Sequence, residues 1–250
     1  MINITFKNLG TDAVDLYVYG QIVDEKFPDW WTGQTSELDI DLPEFREAIN
    51  SLKSGDTLNI YVNSPGGSVF VASTMCSMLQ RAKANGVKIH AFVDGLAASA
   101  ASFLIMEADD ITMYKNSMLM IHKAMCMSFG NANDLRKDIE TLNKLEESVM
   151  MPLYRSKAKC SDDEIKAKID AETWLSAEET AEMFDVILSD EQKEVVACDR
   201  TILAKYKNCP KELMEEPKGK EPETTPASAE IVQAYFSAFE ERIAKLRKGE

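Results

Sequence analysis

Two hundred and fifty residues, 45% hydrophobic and 28% charged, make one ordinary globular domain with an appendage, or two small domains. Wholesale disorder, collagen and coiled-coil rods are excluded. The 42 acidic against 28 basic side chains give a net charge of -14, the wrong sign for a nucleic-acid binder, which neutralises phosphates with Lys and Arg.

The five cysteines, Cys76, Cys126, Cys160, Cys198 and Cys209, are odd in number and widely spaced. No CxxC or Cys/His pair occurs, so neither a zinc site nor any other cofactor is called for. Reduced thiols in the cytoplasm are the simple reading. The N-terminus lacks the basic-then-apolar layout of a signal peptide. The most apolar stretch, Phe92 to Met106, is interrupted by Asp94, Ser99 and Ser102 and is too short to span a bilayer.

In chain order, Asp15–Tyr19 alternates as a strand, and Glu44–Leu52 has helical periodicity. Thr57–Val62 is a β-branched and aromatic run broken by Pro65-Gly66-Gly67, with helical spacing from Val69 to Ala84. Val87–Val93 predicts another strand, followed after Asp94-Gly95 by a helix of small residues reaching Met106. Asp110–Met113 and Ser117–Ile121 predict short strands, and Asn131 to about Lys157 a long helix. Such alternation predicts an α/β domain with a largely parallel sheet.

The composition shifts near residue 206. Residues 207–230 hold four of the eight prolines and almost nothing apolar, which predicts a linker. Beyond it, Ile231, Val232, Tyr235, Phe236, Phe239, Ile243 and Leu246 recur at steps of three and four, an amphipathic helix over 231–250. That helix docks on the main domain or meets a partner chain, with equal claim from the sequence. The expected organisation is 1–206, 207–230 and 231–250, with the tail dispensable for folding and chemistry.

Three features carry chemistry. Asn63-Ser-Pro-Gly-Gly-Ser-Val69 joins a strand to a helix, and its glycines permit a sharp turn that exposes amide groups able to stabilise an oxyanion. Alone, a tight turn explains it as well; it is neither a Walker loop nor GxGxxG. Gly95-Leu-Ala-Ala-Ser-Ala-Ala-Ser102 again follows a strand, where a serine bracketed by alanines is open to attack or simply lets a helix pack closely. Only two histidines exist, and His90 lies inside a strand as a structural residue. His122 falls just past a strand end, where α/β folds present active groups.

Taken together, Tyr61–Val69, Gly95–Ser99, Met120-Ile-His122 and Trp174-Leu-Ser-Ala-Glu178 resemble, in order and separation, the Clp-type serine peptidase family over about residues 13–190. The resemblance implies a crotonase-like spiral of βαβ units, with the helix from Asn131 to Lys157 as the long handle through which rings stack. It implies Ser99 as nucleophile, His122 as general base, and the Gly67 and Ala100 amides as oxyanion hole. For the third member, register from Trp174 favours Glu172, while Asp170 is the alternative and the more usual residue type. The Glu-Thr-Trp run, the insertion-like loop Phe27–Leu42 with Pro28-Asp-Trp-Trp31, and the tail resemble the phage and prophage head-maturation branch. That branch implies cleavage of scaffold and capsid proteins by a homo-oligomeric ring, with the tail as a possible capsid or scaffold contact. The competing expectations are a housekeeping subunit fed by an ATP-dependent unfoldase, an acyl-CoA enzyme of the crotonase fold, and a catalytically degenerate scaffold ring. Neither nucleic acid nor membrane is an expected partner.

Overall fold

The sheet that carries the candidate site is built from strands that each end where a helix begins. The computed structural model describes residues 13–26, 36, 38–191 and 200–214. Most of the Phe27–Leu42 loop, Cys198, the linker beyond residue 214 and the 231–250 helix lie outside the described residues.

Strand β1 (Ala13–Val23) buries Leu16, Val18 and Ile22 and bulges at Gly20, whose φ of 83° suits glycine. Strand β2 (Ile40–Asp41) pairs parallel with it and leads into α1 (Leu42–Ser51), where the Asp41 carboxylate accepts the Glu44 N–H at 2.8 Å. Strand β3 (Thr57–Gly67) and α2 (Val69–Ala84) follow; α2 buries Val71, Ala72, Met75, Cys76, Leu79 and Ala82, the spacing of one helical face. Then come β4 (Lys88–Ala98), the short α3 (Ala100–Leu104), β5 (Asp110–Tyr114) and β6 (Met118–Ile121). Helix α4 (Ala132–Leu145) passes through a π-helical turn at 146–150 into α5 (Met151–Arg155). The remaining elements are α6 (Asp162–Asp170), β7 (Thr173–Ser176), α7 (Ala177–Met183), β8 (Ile187–Ser189), α8 (Arg200–Leu203) and α9 (Lys211–Met214).

The strand order is β2-β1-β3-β4-β5-β8, all parallel. β4 is shared: His90–Val93 pair with β5, whereas Leu96–Ala98 pair with β6. β7 runs antiparallel to β6, with Thr173 opposite Ile121. This is the largely parallel α/β architecture that the sequence implies, and its main core lies between the sheet and α1, α2, α3 and α5. A smaller cluster, Leu96, Ala98, Met120 and Leu203, gathers Met118, Trp174, Tyr206, Cys209 and Leu213 around it.

Three departures from the sequence reading bear on the site. The small-residue helix does not start directly after Asp94-Gly95: β4 continues to Ala98, where β6 offers it a second pairing partner, and the helix begins at Ala100. The handle is not one uninterrupted helix to Lys157: the π turn lies just ahead of Pro152, which has no N–H to offer a helical ladder. Residues 211–214, inside the expected linker, form α9, and residues 203–213 join the smaller cluster. Among the described residues no helix is long and apolar enough to cross a membrane.

Candidate active site

Ser99 stands at the junction of β4 and α3 with φ 52° and ψ -121°, a conformation L-residues rarely adopt. Such a backbone costs about 1–3 kcal/mol and persists only when its surroundings fix it. Here its N–H donates to the Met120 carbonyl at 2.9 Å, and its own carbonyl accepts from the Ser102 N–H at 2.9 Å and the Ser102 hydroxyl at 2.6 Å. The side chain is thereby turned out of the ladder, and Ser99 Oγ lies 2.7 Å from Nε2 of His122. Ser102 is fully buried and bonded to Ser99 and to the Tyr154 hydroxyl, so it is a brace and not an accessible nucleophile.

The two-glycine turn packs directly against this junction. A Cβ on Gly66 would meet the Ala98 carbonyl oxygen at 2.6 Å, Ser99 Cβ at 2.7 Å and the Ala100 nitrogen at 2.9 Å. Glycine at 66 is therefore demanded twice, by that approach and by φ 92°. Buried Ser64 fixes the turn by donating to the Gly20 carbonyl at 2.6 Å and accepting the Gly66 N–H at 3.1 Å. Buried Asn63 accepts the Leu96 N–H at 3.1 Å and joins the turn to β4. Gly67, alone in this turn, is exposed. The Ala100 N–H, ahead of the helical ladder, donates to no carbonyl among the described residues. Gly66 and the Ala100 N–H thus border Ser99, whereas the nearest neighbours of Gly67 are backbone atoms of Ile22 on β1.

His122 follows β6 and is 6% exposed. Burial lowers its pKa from the ordinary 6.5, opposed by the negative charge of Glu172. A neutral imidazole at neutral pH follows, which is the form that can take a proton. The β6–β7 register explains the proximity of Glu172: past the pair Ile121–Thr173, the next residues out on the two strands are His122 and Glu172. Glu172 also has a left-handed backbone, φ 50°, where α6 ends. Its Oε1 accepts the Asn208 N–H at 2.6 Å, and no hydrogen bond joins it to the imidazole among the described residues. Asp170 is directed elsewhere, in an ion pair with Lys123 at 2.9 Å. That bond to Asp170, with Glu146 nearby, raises the Lys123 pKa and keeps it an ammonium, unfit as a base. His90 sits at the other end of β4, 3.1 Å from Asp110, away from Ser99.

Sequence reasoning did not single out Asn63 and Ser64 as braces, although two polar residues closing an apolar strand were a usable signal. It missed Tyr206 and Asn208 altogether. The Tyr206 ring meets the His122 ring edge-on, centroids 5.1 Å apart, and its hydroxyl donates to the Pro65 carbonyl at 2.6 Å. Only long-range packing reveals that contact. No cluster of three or more metal-ligating side chains occurs among the described residues.

The Clp protease family model matches residues 47–187, more than half of the chain. The ATP-dependent Clp protease proteolytic subunit of Bacteroides fragilis is 28% identical over 144 residues, 56% of this chain and 68% of that protein. Proteolytic subunit 1 of Salinibacter ruber is 31% identical over 136 residues, 54% of this chain and 57% of that protein. The Porphyromonas gingivalis subunit is 26% identical over 149 residues, 58% of this chain and 65% of that protein. The matched segment thus spans from just over half to about two thirds of these relatives. The chain belongs to the Clp protease family and is, by class, a serine-type peptidase.

Proposed function

We propose that this chain is an endopeptidase that cleaves by acyl transfer, with Ser99 as nucleophile, His122 as general base and Glu172 as the acid that orients it. The observation that carries the reading is the 2.7 Å contact between Ser99 Oγ and His122 Nε2 at a strained strand-to-helix junction. In the first step Nε2 takes the hydroxyl proton as Oγ attacks the peptide carbonyl. The carbonyl oxygen becomes an oxyanion between the Gly67 and Ala100 N–H groups. His122 then gives the proton to the leaving amine, and water repeats the sequence on the ester. Glu172 stabilises the imidazolium between the two transfers. No metal or cofactor has a role in these steps. A crotonase-type acyl-CoA reaction would use the amides but not the Ser99–His122 pair, so covalent labelling by a fluorophosphonate tests the choice.

Assembly is part of the proposal. Helix α4 buries no residue and leaves Leu135 and Ile139 exposed, a handle whose apolar stripe is covered by none of the described residues. A homo-oligomeric ring, stacked through such handles, would enclose the sites and restrict them to unfolded protein segments.

Two readings of the biological substrate follow. The head-maturation reading, in which scaffold and capsid proteins are cut, rests on the loop Phe27–Leu42 and the tail, both departures from a compact housekeeping subunit. The unfoldase-fed reading is favoured by an aromatic stripe across neighbouring strands: Tyr17, Tyr61 and Phe92 stack at 5.0 and 5.1 Å on the partly exposed sheet face. It agrees with the relatives named above, which are ATP-dependent. Degradation of a folded substrate that requires an added Clp ATPase would select the second; unassisted cleavage of a scaffold protein would select the first. The four described cysteines are free thiols, in keeping with a cytoplasmic setting.

A further inference from the structure

Residues 203–213 form a strap over the Glu172 side of the site, and its contacts converge on catalytic groups. Leu203 is fully buried against Leu96, Ala98 and Met120, the strand residues next to Ser99 and His122. Tyr206 places its ring edge on His122 and also edge-on to Trp174, with centroids 5.9 Å apart. Its hydroxyl donates to Pro65, the residue before the two glycines. Asn208 donates its backbone N–H to Glu172 Oε1 at 2.6 Å, and its Nδ2 to the carbonyls of Ala171 at 2.8 Å and Glu172 at 3.2 Å.

We propose that Tyr206 and Asn208 are positioning residues of the catalytic site, through which the strap orients Glu172 and the His122 ring. The inference rests on the assignment of Glu172 as the triad acid. A carboxylate at the end of a flexible side chain samples many rotamers. With Oε1 anchored, Oε2 becomes the acceptor left for the Nδ1–H of His122. The Nδ2 bonds brace the left-handed turn at Glu172, a conformation disfavoured for any residue with a side chain. On the other flank, the Tyr206 ring limits imidazole rotation about its Cβ–Cγ bond. The strap also ties the acid to the oxyanion turn through one hydroxyl, so the two halves of the machinery share a support.

The test uses the full-length chain and the rate of Ser99 labelling by a fluorophosphonate, measured from pH 5 to 9 with variants Asn208→Ala, Tyr206→Leu, Glu172→Gln and Glu172→Gln/Asn208→Ala. Asn208 is exposed, so its replacement leaves the fold intact. Asn208→Ala and Tyr206→Leu should each label about tenfold more slowly, as expected for a misplaced catalytic group. Asn208→Ala keeps the backbone N–H bonded to Glu172 Oε1 and removes the Nδ2 bonds to the Ala171 and Glu172 carbonyls, so it loosens the turn that carries Glu172. The acid limb of its profile should then move to lower pH, because a loosened Glu172 supports the imidazolium less. The double variant should be no slower than Glu172→Gln, since Asn208 acts through that carboxylate. Wild-type rates in both single variants, or additive losses in the double, overturn the inference while leaving an impaired Glu172→Gln to uphold the triad. Faster labelling in Asn208→Ala would make the strap a latch that holds Glu172 back, and overturns it too. A Glu172→Gln variant that labels normally instead removes the acid assignment on which the inference stands.

Discussion

At Ser99 the strained backbone, the imidazole contact and the closely packed Gly66 adjoin at one junction, so a change in one bears on the others. The first consequence is steric. Gly66→Ala should lower labelling by at least about 10²-fold, since its methyl must displace Ser99 or Ala100; circular dichroism should show the fold retained, and normal labelling would refute the packing argument. The second is electrostatic. The base must be neutral, so activity is present above the His122 pKa and lost as pH falls through it. Burial sets that pKa below 6.5 and Glu172 opposes the shift. The acid limb of the rate profile is thus expected below 6.5, and in the residual activity of Glu172→Gln it should lie lower still. A limb that moves upward in that variant would contradict the sign.

At the scale of elements, the register of the antiparallel pair β6–β7 is what supports Glu172 over Asp170 in the proposed triad. It extends the ladder from Ile121–Thr173 towards His122 and Glu172, while Asp170, still in α6, turns to Lys123. Glu172→Gln is expected to lose about 10⁴-fold in acylation rate, and Asp170→Asn less than about tenfold, its exposed ion pair being weak. The reverse order would show that the strand register misleads. In the sequence, position after a strand left Ser99 and His122 open to either role; resemblance to the Clp-type family implied them and, by register from Trp174, Glu172. Helix α2 was legible to the residue, because its apolar spacing is complete and Ser68 caps it. The end of β4 was not: Gly95–Ala98 reads as helix by composition, and only the later β6 makes it strand. Tyr206 and Asn208 were hidden for the same reason, since their partners lie 141 and 36 residues away in sequence. In the proposed ring α4 supplies the contact between subunits, so Leu135→Glu with Ile139→Glu should reduce the sedimentation coefficient of the assembly without unfolding the subunit.

For the whole molecule, the parallel sheet presents β3, β4 and β6 with their ends together, so that turn, nucleophile and base meet from segments far apart in sequence. If the strap positions the site as proposed, it extends this support from the C-terminal side and the functional boundary falls near Met214. A chain ending at Met214 should label at the full-length rate, and one ending at Tyr206 should label more slowly, for it lacks Asn208. The central claim is that Ser99, activated by His122, is the acylated residue of a peptidase. Mass-spectrometric mapping of the fluorophosphonate adduct on the full-length protein tests it most directly. The adduct should sit on Ser99, be absent from Ser99→Ala, and form about 10⁶-fold more slowly in His122→Ala. An adduct on Ser102, or none on the natively folded protein, would contradict it.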